Sequence, residues 1–354
     1  MSRFFSEKYS SLTPYVPGEQ PKDMRYVKLN TNESPFLPSP RAVQRASEAA
    51  NRLMLYSDPE CTELVCAAAE RLGVGADEIL FTNGSDEALN FAFMAFCDEG
   101  HPAVFPDISY GFYPVFAGLN AVPYQQIPLR EDFTICVDDY LGINRTIFIA
   151  NPNAPTGLAL SACNIERILA SNPNSVVVID EAYVDFGAES VLPLIHEYPN
   201  LLVVQTFSKS RSMAGARLGF AAGNKSLIQD LKTIQYSTNP YNVNTMTMAA
   251  GVGALEDEAY FRNNCRAVVD NRQWTKDSLE CLDFQVLDSV SNFLFASHKT
   301  IPGGDLYRKL KEKGVLVRHF DKPRLRNYIR ITIGSKDQME FFLKKIQEIL
   351  EEIP

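Results

Sequence analysis

A loop with one lysine between two serines contains the residue types best suited to covalent chemistry. The loop, residues 206–219, is rich in Ser, Gly and Arg, and Lys209 lies near its start. A lysine that is buried or close to other cations loses its proton more easily, and its neutral amine can form a Schiff base with an aldehyde. The hydroxyls of Thr206 and Ser208 and the guanidinium of Arg217 could bind a phosphate group. A solvated basic loop is the competing interpretation.

An aldehyde and a phosphate together suggest pyridoxal phosphate (PLP), because this cofactor carries both groups and usually attaches to a lysine. Asp180 ends an apolar run, residues 175–180, that predicts a buried strand. A carboxylate at the C-terminal end of a parallel strand lies where α/β proteins bind ligands. Placed against a pyridine nitrogen, it would keep that nitrogen protonated. A helix-capping role is the alternative for this acid.

Two other segments could contact the same cofactor. Residues 79–82 predict a short buried strand, and Asn83-Gly-Ser-Asp86 then leads into a helix. A strand, a glycine turn and a helix in this order direct free backbone amides at an anion, although many turns of this type look alike. After the next strand, Tyr110 or Tyr113 could stack on a planar ring or pack in the core.

An arginine interrupts an apolar run near the end of the chain, residues 328–333. A charge in such a strand requires an anionic partner. Arg330 could therefore bind a substrate carboxylate or phosphate, or it could pair with a structural Asp or Glu.

The elements that would position these residues alternate between strands and helices from about residue 45 to 235, including predicted strands over 146–150 and 201–204. This alternation predicts an α/β fold, a three-layer large domain with a mainly parallel sheet and helices on both faces. We expect an N-terminal arm over residues 1–40, associated with the small domain. The large cofactor-binding domain is expected over 41–245, and a smaller α+β domain over 246–354. The latter segment predicts a long helical region over about 245–282, with Gly251 and Gly253 as weak points, and a strand over 315–318. No Gly-x-Gly-x-x-Gly follows the first strand, which disfavours a dinucleotide site.

Composition excludes several classes of partner. The chain of 354 residues has a net charge of -9 and no block rich in Lys and Arg, so nucleic acid is not expected to bind. No apolar run approaches the length of a membrane span. Seven scattered cysteines indicate reduced thiols and a cytoplasmic protein. The four histidines form no metal motif, and no metal is predicted.

The ordered set of motifs resembles the fold-type I PLP-dependent aminotransferases over nearly the whole chain. The set comprises Asn-Gly-Ser-Asp, an aromatic after the next strand, Asn-Pro-x-x-Pro-Thr-Gly, Asp-Glu-Ala-Tyr, Ser-Lys with a downstream Gly-x-Arg-x-Gly, and a late Arg-Ile-Thr. The resemblance implies that Lys209 attaches the cofactor and moves the substrate proton as general base and acid. Asp180 would pair with the ring nitrogen, Tyr183 would hydrogen-bond the ring oxygen, and Tyr110 would stack on the ring. The cofactor phosphate would be bound by the amides of Ser85 and Asp86 and by Thr206, Ser208 and Arg217.

The resemblance also implies a homodimer with shared active sites, in which Tyr56 reaches the phosphate of the other subunit. Arg330 would bind the anionic end of the substrate, together with Asn32 of the arm. Arg318 and Tyr15 are further substrate-binding candidates.

Three segments, residues 14–18, 29–35 and 240–244, resemble the members of the family that act on L-histidinol phosphate. The implied reaction moves an amino group between L-histidinol phosphate and 2-oxoglutarate, giving imidazole-acetol phosphate and glutamate, in histidine biosynthesis. A guanidinium accepts a phosphate or a carboxylate, so Arg330 could serve both half-reactions.

One position departs from the family pattern. The residue before Pro-Thr-Gly is usually an asparagine that bonds the ring oxygen, and here it is Ala154. Alanine has no donor, so either Asn153 replaces it or Tyr183 makes the contact alone.

Other functions stay open at this point. An aromatic amino-acid aminotransferase is not excluded by any residue. A PLP-dependent decarboxylase of a phosphorylated amino acid such as threonine phosphate would retain many of the same residues. A regulatory DNA-binding protein built on this fold is disfavoured, because the chain is acidic and has no length for an added domain.

Overall fold

A seven-stranded sheet forms the centre of the fold. The computed structural model describes residues 2–10 and 12–352. The strands, in chain order, are β1 (Val27–Lys28), β2 (Ile79–Thr82), β3 (Ala103–Pro106), β4 (Tyr124–Ile127), β5 (Thr146–Ala150), β6 (Val177–Asp180), β7 (Leu201–Thr206), β8 (Gly219–Gly223), β9 (Phe284–Val286), β10 (Phe293–His298), β11 (Val315–Leu316), β12 (Arg318–His319) and β13 (Tyr328–Thr332).

The α-helices alternate with the strands of the central sheet and then form much of the C-terminal third of the chain. In order they are α1 (Pro40–Ala49), α2 (Thr62–Leu72), α3 (Ser85–Phe96), α4 (Tyr113–Leu119), α5 (Ala162–Ser171), α6 (Lys225–Thr238), α7 (Thr245–Glu256), α8 (Glu258–Glu280), α9 (Gly303–Glu312) and α10 (Lys336–Glu351).

The central sheet has the strand order β2-β8-β7-β6-β5-β3-β4. Only β8 is antiparallel to its two neighbours, and the other pairs are parallel. Successive side chains of a strand point to opposite faces, so an apolar strand packs on both sides. In β7, Leu201 and Val203 pack into one core cluster, whereas Leu202 and Val204 pack into another. The predicted α/β fold with a mainly parallel sheet is confirmed.

A second sheet of order β12-β13-β10-β9 is antiparallel throughout. β1 of the N-terminal arm pairs with β11 in a separate parallel ribbon, which ties the arm to the C-terminal part of the chain. The two larger sheets therefore occupy separate stretches of sequence. The domain limits after residues 40 and 245 stay a prediction that is compatible with this arrangement.

Several predicted elements differ from the structure in their limits. The expected long helix over residues 245–282 is two helices that meet at Asp257. Gly251 and Gly253 lie inside α7 and do not break it. They allow other parts of the chain to pack closely on this helix, since a Cβ on Gly253 would lie 2.6 Å from the carbonyl oxygen of Arg41. The expected strand over residues 315–318 is divided between β11 and β12, which belong to different sheets.

Candidate active site

A cavity of about 260 Å³ lies where β6 and β7 end and α3 begins. Nine residues that the sequence singled out line this cavity: Ser85, Asp86, Tyr110, Asp180, Tyr183, Thr206, Ser208, Lys209 and Arg217. The carboxyl ends of neighbouring parallel strands meet at one edge of a sheet, which is why residues far apart in sequence come together here.

One end of the cavity is suited to an anion. α3 begins there with Ser85, and the first amides of a helix have no partner within the helix. Arg217 lies beside this helix end, with its Nη2 atom 3.0 Å from Oδ2 of Asp86. Gly84 has a φ of +82°, and a Cβ there would lie 2.6 Å from Arg217 Nη2. A glycine at this turn therefore lets the guanidinium approach the helix N-terminus.

The hydroxyls of the lysine loop lie at the same end. Ser208 Oγ is buried and has no hydrogen-bond partner within the described part of the chain. Thr206 Oγ1 accepts a hydrogen bond from the backbone N–H of Ser208 at 3.1 Å. A buried hydroxyl without a partner is costly, so Ser208 is best explained by a ligand that completes its hydrogen bonding.

Lys209 is half-buried, and its surroundings favour its neutral form overall although Asp86 and Glu33 oppose this. Burial, and then the nearby Arg330 and Arg217 charges, lower the pKa of Lys209 to about 8. Its Nζ atom donates to the carbonyl oxygen of Thr31 at 3.3 Å and lies 5.8 Å from the centre of the Tyr183 ring. The amine is therefore available as a nucleophile or a base close to neutral pH.

Asp180 is the last residue of β6 and is almost completely buried. Burial raises the pKa of its carboxyl group to about 7. Oδ2 accepts a hydrogen bond from the Tyr113 hydroxyl at 3.1 Å, and Oδ1 accepts one from the backbone N–H of Ala182 at 3.2 Å. A cationic ring nitrogen would stabilise the charged carboxylate in this environment.

Tyr110 and Tyr113 have different positions. The Tyr110 hydroxyl donates to Oδ1 of Asp86 at 2.6 Å, and its ring lines the cavity. Tyr113 is fully buried in the core behind Asp180. Tyr110 is thus the tyrosine that is placed to contact a ring in the cavity.

A second cavity of about 380 Å³ shares Lys209, Tyr110 and Tyr183 with the first. All four predicted substrate-binding residues line it: Tyr15, Asn32, Arg318 and Arg330. Its walls carry four cationic side chains, those of Lys209, Arg318, Lys322 and Arg330, and no acidic one among the described residues. A pocket with this charge favours anionic ligands.

Arg330 has a buried guanidinium nitrogen that the described part of the protein leaves without a partner. Its Nη2 atom donates to the carbonyl oxygen of Asn30 at 3.0 Å, but Nε is buried without a partner in the described structure. The guanidinium lies 5.3 Å from the ring of Phe293 and 5.6 Å from that of Phe320. Among the described residues, no Asp or Glu forms an ion pair with Arg330. A structural ion pair, the alternative to a ligand, therefore does not account for this charge.

The remaining substrate candidate, Arg318, is engaged with the arm. Its Nη atoms donate to the carbonyl oxygens of Val16 and Pro17 at 3.1 and 3.2 Å. Tyr15 stacks on Phe112 with ring centres 4.2 Å apart. Arg318 and Tyr15 therefore hold the arm against the cavity that they line.

Comparison with known proteins decides the family. Residues 25–346 match the family described as aminotransferase class I and II. The chain belongs to the class I and II aminotransferases. A protein of Brachyspira hyodysenteriae named histidinol-phosphate aminotransferase is 50% identical over 99% of this chain and 100% of its own length. One of Marinomonas sp. with the same name is 48% identical over 96% and 97%.

Solved structures of aminotransferases share the fold. The histidinol-phosphate aminotransferase of Sinorhizobium meliloti, in complex with pyridoxal-5'-phosphate, superposes with a TM-score of 0.90 at 22% identity, covering 100% of this chain and 99% of that one. The enzyme of Clostridium acetobutylicum gives 0.84 at 21% identity over 92% and 99%. At this identity the likeness shows the fold.

The cavity of this aminotransferase fits PLP on its own residues. The unpartnered Ser208 hydroxyl, Arg217 and the α3 N-terminus suit a phosphate, Lys209 suits an aldehyde, and Asp180 suits a pyridine nitrogen. When bound, PLP would supply an electron-withdrawing ring that stabilises negative charge on the substrate carbon. No cluster of metal-ligating side chains occurs in residues 2–10 and 12–352, and no helix in those ranges is long and apolar enough to span a membrane.

Two predicted cofactor residues lie outside the cavity. Asn153 is buried beside it, and its Nδ2 atom donates to the carbonyl oxygen of Ile108 at 3.0 Å and to Thr156 Oγ1 at 3.2 Å. Its Oδ1 atom accepts from Ser109. Ala154 lines the cavity instead. Tyr56 is 84% exposed and stacks on Tyr241, with ring centres 4.7 Å apart.

Sequence reasoning did not find Thr31, whose carbonyl oxygen accepts from Lys209, or Tyr113 as the partner of Asp180. For Tyr113, the only sequence signal was its position after β3, which it shares with Tyr110.

The charge on Asp180 should make the cofactor-free aminotransferase less stable at higher pH. The folded protein keeps a proton on Asp180 up to about pH 7, whereas the unfolded chain releases it near pH 4. The contribution of this group to stability is thus present below pH 4 and is lost as pH rises through 7. Between pH 5 and pH 8, the free energy of unfolding should fall by about 2 kcal/mol more in the wild type than in Asp180→Asn.

Urea unfolding of the cofactor-free proteins at several pH values would measure this difference. Glu181, whose pKa burial also raises to about 7, is present in both proteins and cancels in the comparison. Parallel curves for the two proteins would contradict the assignment of a raised pKa to Asp180.

Proposed function

We propose that this protein uses PLP to transfer an amino group between L-histidinol phosphate and 2-oxoglutarate, as its relatives' names indicate. The observation that carries this proposal is the unpartnered Nε of Arg330 in a cavity walled by cations. A phosphate group and a carboxylate both match the forked geometry of a guanidinium, so one arginine can receive both substrates in turn.

The residues of the two cavities have complementary roles in this proposal. Arg330 orients the anionic end of the substrate, which places the amine-bearing carbon toward Lys209. Lys209 Nζ, neutral in part near pH 8, takes up the proton that leaves this carbon. Tyr110 and Tyr183 line both cavities and so lie beside both the cofactor and the substrate. Ser85, Asp86, Thr206, Ser208 and Arg217 hold the cofactor phosphate, and Asp180 holds the ring nitrogen.

We infer further that two copies of the chain form a homodimer. Four consecutive apolar residues are exposed, from Leu53 at 58% to Tyr56 at 84%. An exposed patch of this kind usually marks an interface. The resemblance to fold-type I aminotransferases implies that Tyr56 of this patch then reaches the cofactor cavity of the second copy.

All seven cysteines lie in the described part of the chain and none is disulfide-bonded, which supports a cytoplasmic location.

The dimer predicts a sedimentation mass near twice the 39.6 kDa of the chain. Leu55→Asp should shift the protein to a monomer, because a charge in an apolar interface is desolvated without a partner. Leu119→Asp, at another exposed leucine, is the matched control and should stay dimeric. A wild-type protein that sediments as a monomer would refute the shared active site.

An absorbance spectrum of the PLP-loaded protein tests the function directly. Addition of L-histidinol phosphate without a keto acid should convert the visible band of the bound cofactor into a near-ultraviolet band. Addition of 2-oxoglutarate should then restore the visible band. Conversion by phenylalanine with equal efficiency would favour an aromatic aminotransferase, and release of carbon dioxide from threonine phosphate would favour a decarboxylase. A protein with no visible band would refute the cofactor and the function together.

A further inference from the structure

Asn32 of the N-terminal arm connects the small sheet to the wall of the cofactor cavity. Its side chain is buried, and its backbone has a φ of 57°. Asn and Gly adopt this left-handed conformation more readily than other residues. The carbonyl oxygen of Asn32 accepts a hydrogen bond from Nδ2 of Asn292 at 2.9 Å, which holds the backbone in place.

The hydrogen bonds of Asn32 have a defined direction. Its backbone N–H donates to Thr332 Oγ1 at 2.9 Å, and the Thr332 hydroxyl donates to Oδ1 of Asn32 at 3.0 Å. Nδ2 of Asn32 then donates to the Tyr183 hydroxyl oxygen at 3.0 Å. The Thr332 hydroxyl therefore fixes which end of the Asn32 amide faces Tyr183.

The opposite orientation of the amide is disfavoured. With Nδ2 toward Thr332, the hydroxyl oxygen would face two donors, and its own proton would have no acceptor among the described residues. A buried donor without an acceptor costs free energy. In the observed orientation, Tyr183 accepts from Asn32, so its own proton is free to point into the cavity that Tyr183 lines.

The direction of the Tyr183 hydroxyl proton matters because Ala154, where the family usually has an asparagine, supplies no side-chain donor. Ala154 lines the same cavity, and the amide of Asn153 is occupied by Ile108, Thr156 and Ser109. Tyr183 is thus the side chain left to hydrogen-bond the ring oxygen of PLP.

We propose that Asn32 and Thr332 are positioning residues that aim the Tyr183 hydroxyl proton at the ring oxygen of the cofactor, in place of the missing donor at Ala154. This inference rests on the proposed function. It gives Asn32 a role beyond the predicted substrate contact, because its side chain donates to Tyr183 and accepts from Thr332 within the protein.

The test is a pH titration of the visible band of the PLP-loaded, full-length protein without substrate. A hydrogen bond to the ring oxygen favours its deprotonated form, so its loss should raise the midpoint of the titration. Thr332→Val removes the hydroxyl and keeps the shape, and it should raise the midpoint by about one pH unit. Asn32→Gly retains the backbone conformation and should shift it by a similar amount.

Three further variants separate this role from a general loss of packing. Combining Thr332→Val with Asn32→Gly should add little to the larger single shift, because both act through one hydroxyl. Ala154→Asn in the Thr332→Val background should lower the midpoint again by supplying a direct donor. The matched control is Thr275→Val, which removes an equally buried hydroxyl that donates to the Asn271 carbonyl oxygen in α8, and it should not move the midpoint.

Midpoints of Thr332→Val and Asn32→Gly equal to that of the wild type would overturn the inference and leave the proposed function intact. A shift in Thr275→Val as large as that in Thr332→Val would also overturn it. A wild-type protein with no visible band would instead refute the proposed function on which the inference rests.

Discussion

Replacement of Lys209 with alanine should lower the turnover of L-histidinol phosphate by about 10⁴-fold or more. Lys209 is a half-buried lysine whose pKa is lowered to about 8, so its amine can move a proton at a carbon atom near neutral pH, whereas Asp180 is assigned to the ring nitrogen of the cofactor. General acid and base catalysis alone contributes about 10²–10⁴-fold, and loss of the covalent attachment adds to this effect. Steady-state assays with 2-oxoglutarate as the acceptor would measure the loss.

The matched control is Lys225→Ala. Lys225 is exposed, pairs with Asp77 at 2.8 Å, and lines neither cavity. Its removal should leave turnover within about twofold of the wild type, because exposed ion pairs contribute little. If Lys209→Ala retained a tenth of the wild-type rate, another base would perform the proton transfer, and the assignment of Lys209 would be wrong.

Replacement of Arg330 with alanine should lower kcat/KM by about 10³-fold for L-histidinol phosphate and for glutamate alike. Two charge-assisted hydrogen bonds from a half-buried guanidinium to an oxyanion account for a loss of this size. Arg330→Lys should recover part of the activity, because it keeps the charge and loses the forked geometry. Both half-reactions should be measured, since one arginine is proposed to serve both substrates.

Arg308→Ala is the control for the loss of an arginine from the same region. Arg308 lies on α9, is exposed, and pairs with Asp305 at 2.6 Å. It should keep the wild-type kcat/KM. A thermal unfolding curve of Arg330→Ala is also needed, because Arg330 donates to the Asn30 carbonyl oxygen within the arm. A loss confined to one of the two substrates would contradict a shared anion site.

The strands that could be predicted from the sequence are those whose own residues show a strand pattern. β5, β6 and β7 are apolar runs that are almost completely buried on both faces of the sheet. β4 and β8 were not predicted. The residues of β4 are largely exposed at the sheet edge, and β8 consists of Gly, Phe and Ala, of which Gly and Ala are depleted in strands. Pairing with neighbours that are distant in sequence makes both of them strands, and no local pattern carries that information.

The cavity residues were predictable for the same reason, and their hydrogen-bond partners were not. Asp180 and Lys209 lie in short motifs at the ends of predicted strands. The carboxyl ends of parallel strands lie at the same edge of a sheet, so the two residues could be predicted to lie close together. The contact between Asn32 and Thr332 joins residues 300 positions apart. Asn153 could not be assigned from sequence either, because only the fold shows that its amide is occupied by Ile108 and Thr156.

The two cavities draw on different parts of the chain, and this division bears on how substrate preference can evolve. Most of the cofactor cavity is built from residues 85–217, an unbroken middle segment. Much of the wall of the neighbouring cavity comes from the two ends of the chain, residues 15–32 and 318–330, joined where β1 pairs with β11. Mutations near either terminus, apart from those at the few residues such as Thr31, Asn32 and Thr332 that contact the cofactor cavity or support Tyr183, can therefore change which substrate is accepted while the middle segment that binds the cofactor is inherited unchanged.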